Sequence, residues 1–178
     1  MSAAARAFLC LALLVPPLAT GARAAEPDGV IHDGGGFFSA ATLSEAAELV
    51  RSIRSYHGRD VYVETYAEVP EALKDDLARD GREKFYDDWL NRRARQLGVR
   101  GVFVLVTRTP GRVQVGVDKA TQRRAFTPDD RDALRDALVA AFRASRYDRG
   151  LLDGLRFVRR KLDENTAREE SPVTPVWH

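Results

Sequence analysis

The sequence predicts an α/β fold in which a small mixed β-sheet lies between helices, an α/β sandwich. Residues 102–107 form a continuous apolar, β-branched run, which is typical of a strand covered on both faces. Residues 112–117 alternate apolar side chains with polar or small ones, as in a strand with one face more exposed to solvent than the other. Pro110 and Gly111 predict a turn between these runs, so the two strands form an antiparallel hairpin.

The segments before the hairpin are predicted from composition and periodicity. Residues 25–36 are polar and glycine-rich, which indicates a flexible lead-in. A helix follows, with Ser39 or Thr42 as its N-cap and Gly58 at its end. Residues 60–66 then alternate as a strand does.

A second helical region is predicted for residues 70–96, between that strand and the hairpin. Gly81 stands where an apolar residue of its buried face is expected, and we interpret it as a place where the helix lies close to a strand. A strand, a long helix and another strand predict a parallel pair joined by a crossover. The hairpin then adds an antiparallel strand to that pair.

Two helices are predicted after the hairpin. Thr127 followed by Pro128 and two aspartates is a strong helix start, because threonine caps, proline suits the first turn and acids favour the helix dipole. A last helix is predicted for residues 151–162, and the domain is expected to span residues 37–163. Residues 164–178 are polar with two prolines and are predicted to be a disordered tail.

The first 24 residues have the pattern of a cleavable export signal. Arg6 provides the positive start, an apolar run follows, and Ala22 and Ala24 give the small-x-small pattern that precedes cleavage. The apolar run is shorter than the ~20 residues of a membrane-spanning helix and contains two prolines. We therefore expect a periplasmic or secreted protein whose mature chain begins at Ala25 and has no transmembrane segment.

Cleavage would remove the single cysteine, Cys10, and change the charge balance. The whole chain has 28 basic and 26 acidic residues, and loss of Arg6 and Arg23 leaves 26 of each. A mature chain without net charge lacks the general positive field that nucleic-acid binding needs, so no nucleic-acid partner is expected. No disulfide or thiol chemistry is expected either.

Several motifs resemble the TPM domain family, which includes thylakoid-lumen acid phosphatase-like and photosystem-repair proteins. The segment AFRASRYDRGLLDG (141–154) is similar to the family's AFR-x-G-x-Y-x-x-G-L-x-x-G, with Ser145 replacing a usual glycine. FYDDW (85–89), GVFVLV (101–106) and DGGGFFS (33–39) resemble three further family segments in the same order. The resemblance implies an α/β/α sandwich. It also implies either an assembly or repair factor that binds membrane-protein complexes, or weak phosphatase activity and calcium binding.

The resemblance places a candidate cation site among acidic residues at one end of the sheet. Asp33 matches the first acidic motif, and Asp118 lies two positions before the expected glutamate, where Ala120 stands. Arg100 follows Val99 where the family has Asp-Asn before the central strand. Asp33 and Asp118 are therefore the candidate ligands for Ca²⁺ or Mg²⁺, which prefer oxygen ligands.

We hypothesise an exported, non-catalytic domain that binds an envelope or membrane protein complex and needs no cofactor. This hypothesis predicts an exposed apolar patch involving Phe126 or the pair Tyr62 and Tyr66. The alternative is a cation-assisted acid phosphatase centred on Asp33 and Asp118. Its phosphate contacts would come from the basic residues Arg100, Lys119, Arg123 and Arg124.

Overall fold

The computed structural model describes residues 31–170, with side chains as far as residue 167. The predicted signal at 1–24 and the last part of the predicted tail, 171–178, lie outside the described residues. In chain order the elements are β1 (Ile31–Asp33), α1 (Ala40–His57), β2 (Asp60–Glu68), a 3-10 turn (Glu71–Leu73), α2 (Lys74–Asp80), α3 (Arg82–Leu97), β3 (Gly101–Thr109), β4 (Arg112–Val117), α4 (Lys119–Arg124), α5 (Pro128–Arg143) and α6 (Tyr147–Glu170).

The four strands form one mixed sheet in the order β1-β2-β3-β4. β1 and β2 are parallel, β2 and β3 are parallel, and β3 and β4 are antiparallel. β3 is thus an inner strand with a partner on each side, which explains its continuous apolar run. The predicted hairpin, the parallel pair and the α/β sandwich are confirmed.

Alternate residues of the inner strands face two helical layers. Val61, Val102 and Val104 pack in one core cluster with buried residues of α1, α5 and α6. Tyr62 and Phe103 point the other way and pack in a second cluster with aromatic residues of α3. The period of two in these strands therefore decides which layer each side chain supports.

The helix ends follow the capping chemistry that the sequence predicts. The Ser39 hydroxyl accepts a hydrogen bond from the Thr42 amide at 3.3 Å, and Gly58 ends α1 in the left-handed conformation. Thr127 and Asp130 form a reciprocal capping box at the start of α5.

The second helical region is divided, and the expectation for Gly81 is wrong. Gly81 has φ = 75° and separates α2 from α3. No neighbouring atom lies within 4 Å of the place where a Cβ would stand, so the glycine does not serve a close approach to a strand. Its positive φ, which side chains rarely adopt, is the physical reason for the break.

Three further differences concern the ends of the domain and the segment after the hairpin. β1 lies inside the predicted lead-in, and α6 begins earlier and runs through residues 164–170 of the predicted tail. α6 is held there by the buried Asn165, which donates to the Ala125 carbonyl at 3.0 Å and to Asp130 Oδ2 at 3.1 Å. The short helix α4 has no counterpart in the sequence-based prediction.

The predicted exposed apolar patch is not present in the described part of the chain. Phe126 is fully buried, Tyr62 is 5% exposed, and Tyr66 packs against Trp89 with ring centroids 5.0 Å apart. Tyr56 is the large hydrophobic residue that stands out as exposed between residues 31 and 167. No helix in this range combines the length and the apolar composition needed to cross a membrane.

Candidate functional site: an arginine-rich cleft

The carboxylate of Asp33 holds the turn that follows β1. Oδ1 accepts a hydrogen bond from the Phe37 amide at 3.0 Å, and Oδ2 accepts one from the Phe38 amide at 2.9 Å. The Thr65 hydroxyl donates to Oδ1 at 2.5 Å and accepts from the Gly35 amide at 3.0 Å. Both oxygens of Asp33 are therefore engaged in fixing the backbone that leads to Phe37 and Phe38.

Asp118 is the N-cap of α4. Its Oδ1 accepts from the amides of Ala120 at 2.9 Å and Thr121 at 3.3 Å. Its Oδ2 and the Thr121 hydroxyl are buried and have no hydrogen-bond partner among the described residues. The Asp118 amide donates to the Gly101 carbonyl at 3.0 Å, which fixes this residue beside the start of β3.

The structure does not bring Asp33 and Asp118 together. Asp33 aligns with Thr65 of β2, and Thr65 aligns with Val106 near the end of β3. Asp118 follows Val117, which pairs with Val102 at the start of β3. The two aspartates are therefore separated by about 13 Å along the strands, the length of four residues, and by three strand spacings across the sheet. One calcium ion has ligands at about 2.3–2.6 Å, so it cannot contact both carboxylates.

The remaining sequence-predicted site residues lie at the Asp118 end. Arg100 and Lys119 line, together with Asp118, a cleft of about 410 Å³. Arg123 and Arg124 are exposed on α4. Within residues 31–167, no group of three or more His, Cys, Asp or Glu side chains is close enough to hold a metal ion.

A larger cleft, of about 610 Å³, lies at the Asp33 end. It is bounded by the tip of the β3–β4 hairpin, the start of α3, the second half of α5 and the start of α6. We call it the arginine cleft, because five of its lining residues are arginines: Arg82, Arg108, Arg112, Arg135 and Arg143. Glu83 is the single acid among its lining residues.

Arg108 connects the hairpin to the Asp33 turn. Its guanidinium carbon lies 5.7 Å from the centroid of the Tyr147 ring and closer still to that of Phe37, in cation–π contacts. Nη2 donates to the carbonyl oxygens of Gly35 at 3.2 Å and Gly36 at 3.3 Å. Nε and Nη1 make no hydrogen bond to any residue that the structure describes, so they remain available to a ligand.

An aromatic cluster forms the wall beside Arg108. Phe37 meets Tyr147 edge to face at 5.2 Å, and Phe142 lies 5.5 Å from Tyr147 between ring centroids. Asp148 Oδ1 accepts a hydrogen bond from the Ser39 amide at 2.8 Å, and this bond lowers the pKa of Asp148. The segment after β1 and the α5–α6 turn, two of the motifs found in the sequence, therefore meet at one wall of the cleft.

Arg112 and Glu83 form an ion pair across the cleft. Two parallel hydrogen bonds of 2.6 Å join Nη1 and Nη2 of Arg112 to the carboxylate oxygens of Glu83. These bonds lower the pKa of Glu83 and raise that of Arg112. The pair ties the hairpin to α3, and the charges of Arg82 and Arg135 also lower the pKa of Glu83.

The fold is supported by its similarity to a solved domain from P. gingivalis. An N-terminal domain from P. gingivalis, solved by NMR, is similar over 79% of this chain and 85% of that chain, with a TM-score of 0.61 and 23% identity. The BA42 protein from the psychrophilic bacterium Bizionia argentinensis has a TM-score of 0.48 and 17% identity over 72% of this chain and 83% of that chain. The N-terminal domain of the cg2496 protein from Corynebacterium glutamicum has a TM-score of 0.48 and 13% identity over 96% of this chain and 95% of that chain. No protein-family model and no curated protein matches the sequence.

Sequence reasoning did not single out the five cleft arginines. One local signal was present, because Arg135, Val139 and Arg143 follow one another at steps of four and thus share a face of α5. Nothing in the sequence connected this face to the hairpin or to the start of α3. The convergence depends on packing between elements that are far apart in the chain.

Proposed function

We propose that the chain is an exported TPM-like domain that binds a protein of the cell envelope and acts as an assembly or repair factor. The observation that carries this proposal is the arginine cleft, a large, positively lined concavity beside an ordered aromatic wall. Cavities of about 300–1,000 Å³ with apolar walls and a few placed polar groups are typical of binding sites. A concave charged site replaces the exposed apolar patch that the sequence suggested.

The side chains of the cleft support binding rather than covalent chemistry. Glu83 is occupied by Arg112, and the Thr107 hydroxyl lies 2.8 Å from the Tyr86 hydroxyl and 2.6 Å from the Pro110 carbonyl. An activated nucleophile needs an adjacent base that is free to take its proton. Arginine cannot serve as that base, because it stays protonated.

Photo-cross-linking tests the proposal. Gly111 lines the cleft, and a Cβ placed there meets nothing nearer than the Arg108 carbonyl at 3.5 Å, so a photoreactive residue fits at this position. In the full-length chain expressed in its native host, illumination should yield an adduct with an envelope protein. The matched control places the same residue at Ala120, which is exposed at the other end of the sheet. Absence of a protein adduct specific to position 111 would contradict the proposal.

Export is a separate part of the proposal and has its own test. The N-terminal sequence of the protein recovered from envelope or extracellular fractions should begin at Ala25. Recovery of the intact N-terminus from the cytoplasmic fraction alone would contradict export, while leaving the cleft experiment unaffected.

The alternative, a cation-assisted phosphatase, predicts a different result. A cation bound at a hundred times its dissociation constant stabilises the folded state by about 2.7 kcal/mol. We expect no rise in the unfolding midpoint with excess Ca²⁺ relative to chelator, because Asp33 and Asp118 lie at opposite ends of the sheet. A rise that is lost in Asp33→Asn or Asp118→Asn would favour the phosphatase.

A further inference from the structure

The charges that line the arginine cleft are compensated unequally. Arg112 is paired with Glu83, and Arg135 is shared between Asp132 and Asp136, each at 3.1 Å. Arg82 donates to the carbonyl of Gly111 at 3.0 Å, and the hydrogen bonds of Arg108 also go to carbonyl oxygens. Arg143 has no partner of any kind among residues 31–167.

Three arginines, Arg82, Arg108 and Arg143, therefore face the cleft without a hydrogen bond or a close ion pair to a carboxylate in the described part of the chain. Arg82 interacts with Glu83 only through the longer-range attraction of their charges. The three arginines belong to three different elements: α3, the hairpin and the end of α5. Positive charge without a directly paired carboxylate is thus spread around the cleft and not gathered at one point.

The surface between these arginines is apolar. Val113, Val139 and Phe142 line the cleft, together with Tyr147. A single inorganic anion is far smaller than 610 Å³ and would leave this surface uncovered. A fitting ligand carries several separated negative groups and an apolar group between them.

We propose that the arginine cleft binds an acidic peptide segment in which carboxylates flank an apolar side chain. This inference rests on the proposed function and names the part of the partner that the site recognises. Arg82 and Arg143 bind carboxylates on opposite walls, and the aromatic wall receives the apolar side chain. Arg108 is oriented in advance by Phe37 and by the Asp33 turn, which reduces the entropy lost on binding.

The test uses the full mature chain and a synthetic blocked peptide, Glu-Asp-Leu-Glu-Asp, in a calorimetric titration. The matched control peptide is Gln-Asn-Leu-Gln-Asn, which has the same shape and no charge. We expect the acidic peptide to bind, and Arg82→Gln or Arg143→Gln to weaken it by about tenfold, a typical loss for a charge-assisted hydrogen bond. Arg51→Gln, at an exposed arginine on α1 that does not line the cleft, should leave the affinity unchanged.

The other possible results either overturn the inference or separate it from the proposed function. Equal binding of both peptides, or no binding of the acidic peptide at millimolar concentration, overturns the inference. Binding of inorganic phosphate or of phosphatidylglycerol vesicles in place of the acidic peptide also overturns it and assigns the cleft to phosphate groups. If the photoreactive residue at position 111 captures a protein while the acidic peptide does not bind, the proposed function stands and only the ligand class is wrong. If the peptide binds but no protein is captured, the recognition chemistry stands and the proposed function fails.

Discussion

The guanidinium carbon of Arg108 lies 4.2 Å from the centroid of the Phe37 ring. This contact joins the tip of a hairpin to a turn more than seventy positions earlier in the chain, since Arg108 and Gly35 are 73 residues apart. A guanidinium stacked on a ring keeps its edge open for hydrogen bonds while its orientation is fixed. Arg108 is thus both a structural link and a positioned cation.

We expect Arg108→Ala to lower the free energy of unfolding by about 1 kcal/mol, because a cation–π contact and two hydrogen bonds are lost. Arg108→Lys should recover little of this loss, since lysine cannot stack a planar group on Phe37 while donating to two carbonyls. Urea denaturation provides the measurement. Arg124→Ala is the control, and an equal loss in that variant would show that any surface arginine matters as much.

Asp33→Ala should destabilise the fold by about 2–3 kcal/mol, because the amides of Phe37 and Phe38 and the Thr65 hydroxyl lose a charged acceptor. Denaturant unfolding measures the loss, and amide hydrogen exchange at Phe37 and Phe38 shows whether it is local. His32→Ala changes the exposed neighbour and should have little effect. If Asp33→Ala were as stable as the parent chain, the turn would not depend on this carboxylate.

Ser145 has φ = 55°, in the left-handed region that favours glycine. Glycine at this position avoids a strain of about 1 kcal/mol, but it loses more backbone entropy on folding than serine does. The net effect of Ser145→Gly should be a stabilisation of about 0.5 kcal/mol. The adjacent Ala144 has φ = -87°, and Ala144→Gly should therefore destabilise. Thermal unfolding of both variants measures these changes in stability. Shifts of the unfolding midpoint in the same direction would contradict the strain argument.

The contact between α5 and α6 depends on Gly150. A Cβ at this position would lie 2.8 Å from the Ala141 Cβ and 2.8 Å from the Phe142 ring. We expect Gly150→Ala to cost about 1–3 kcal/mol, because overpacking forces the helices apart.

Gly154→Ala is the matched comparison on the same helix. Its Cβ would meet the flexible ends of Leu138 at 3.1 Å and Leu134 at 3.4 Å. The gain in helix propensity, about 1 kcal/mol, should offset this crowding. Equal losses in the two variants would show that crowding at Gly150 has no special importance.

Asp130 links stability to acidic pH. Burial opposes its ionisation, but hydrogen bonds from Thr127 and Asn165 outweigh burial and lower the pKa. A lowered folded-state pKa stabilises the protein above the unfolded-state value near 4, and this stability is lost as the pH falls through the folded-state pKa. Asp130→Asn should therefore be less stable than the parent chain at neutral pH, and the difference should shrink in acid. Asp129→Asn is the exposed control, and a matching pH profile there would contradict the assignment.

The elements of the fold that depend on local chemistry could be predicted from the sequence. The run of apolar residues identified β3, the Pro-Gly pair identified the turn, and Thr127 identified the start of α5. Each of these features depends on a few residues that are close together in the chain. Hydrophobic periodicity and capping preferences are therefore sufficient to predict it.

The site could not be predicted in the same way. Asp33 and Asp118 were candidate metal ligands because they carry carboxylates. In the structure each carboxylate accepts hydrogen bonds from nearby backbone amides: Asp33 holds the turn after β1, and Asp118 caps α4. Asp118 caps the short helix α4, which the sequence analysis did not predict, and a capping carboxylate and a metal ligand look alike in a sequence. The arginine cleft depends on which elements pack side by side, and no local pattern contains that information.

The walls of the arginine cleft come from Phe37, from residues 82–113 and from residues 135–147, so no single segment of the chain presents it. The recognition surface exists only when distant parts of the polypeptide have already assembled. A chain with its first strand or its last two helices undocked would offer isolated arginines to an acidic partner, without the aromatic wall or the fixed guanidinium. Binding is thereby conditional on folding, and a partner that occupies the cleft also holds the two ends of the domain together.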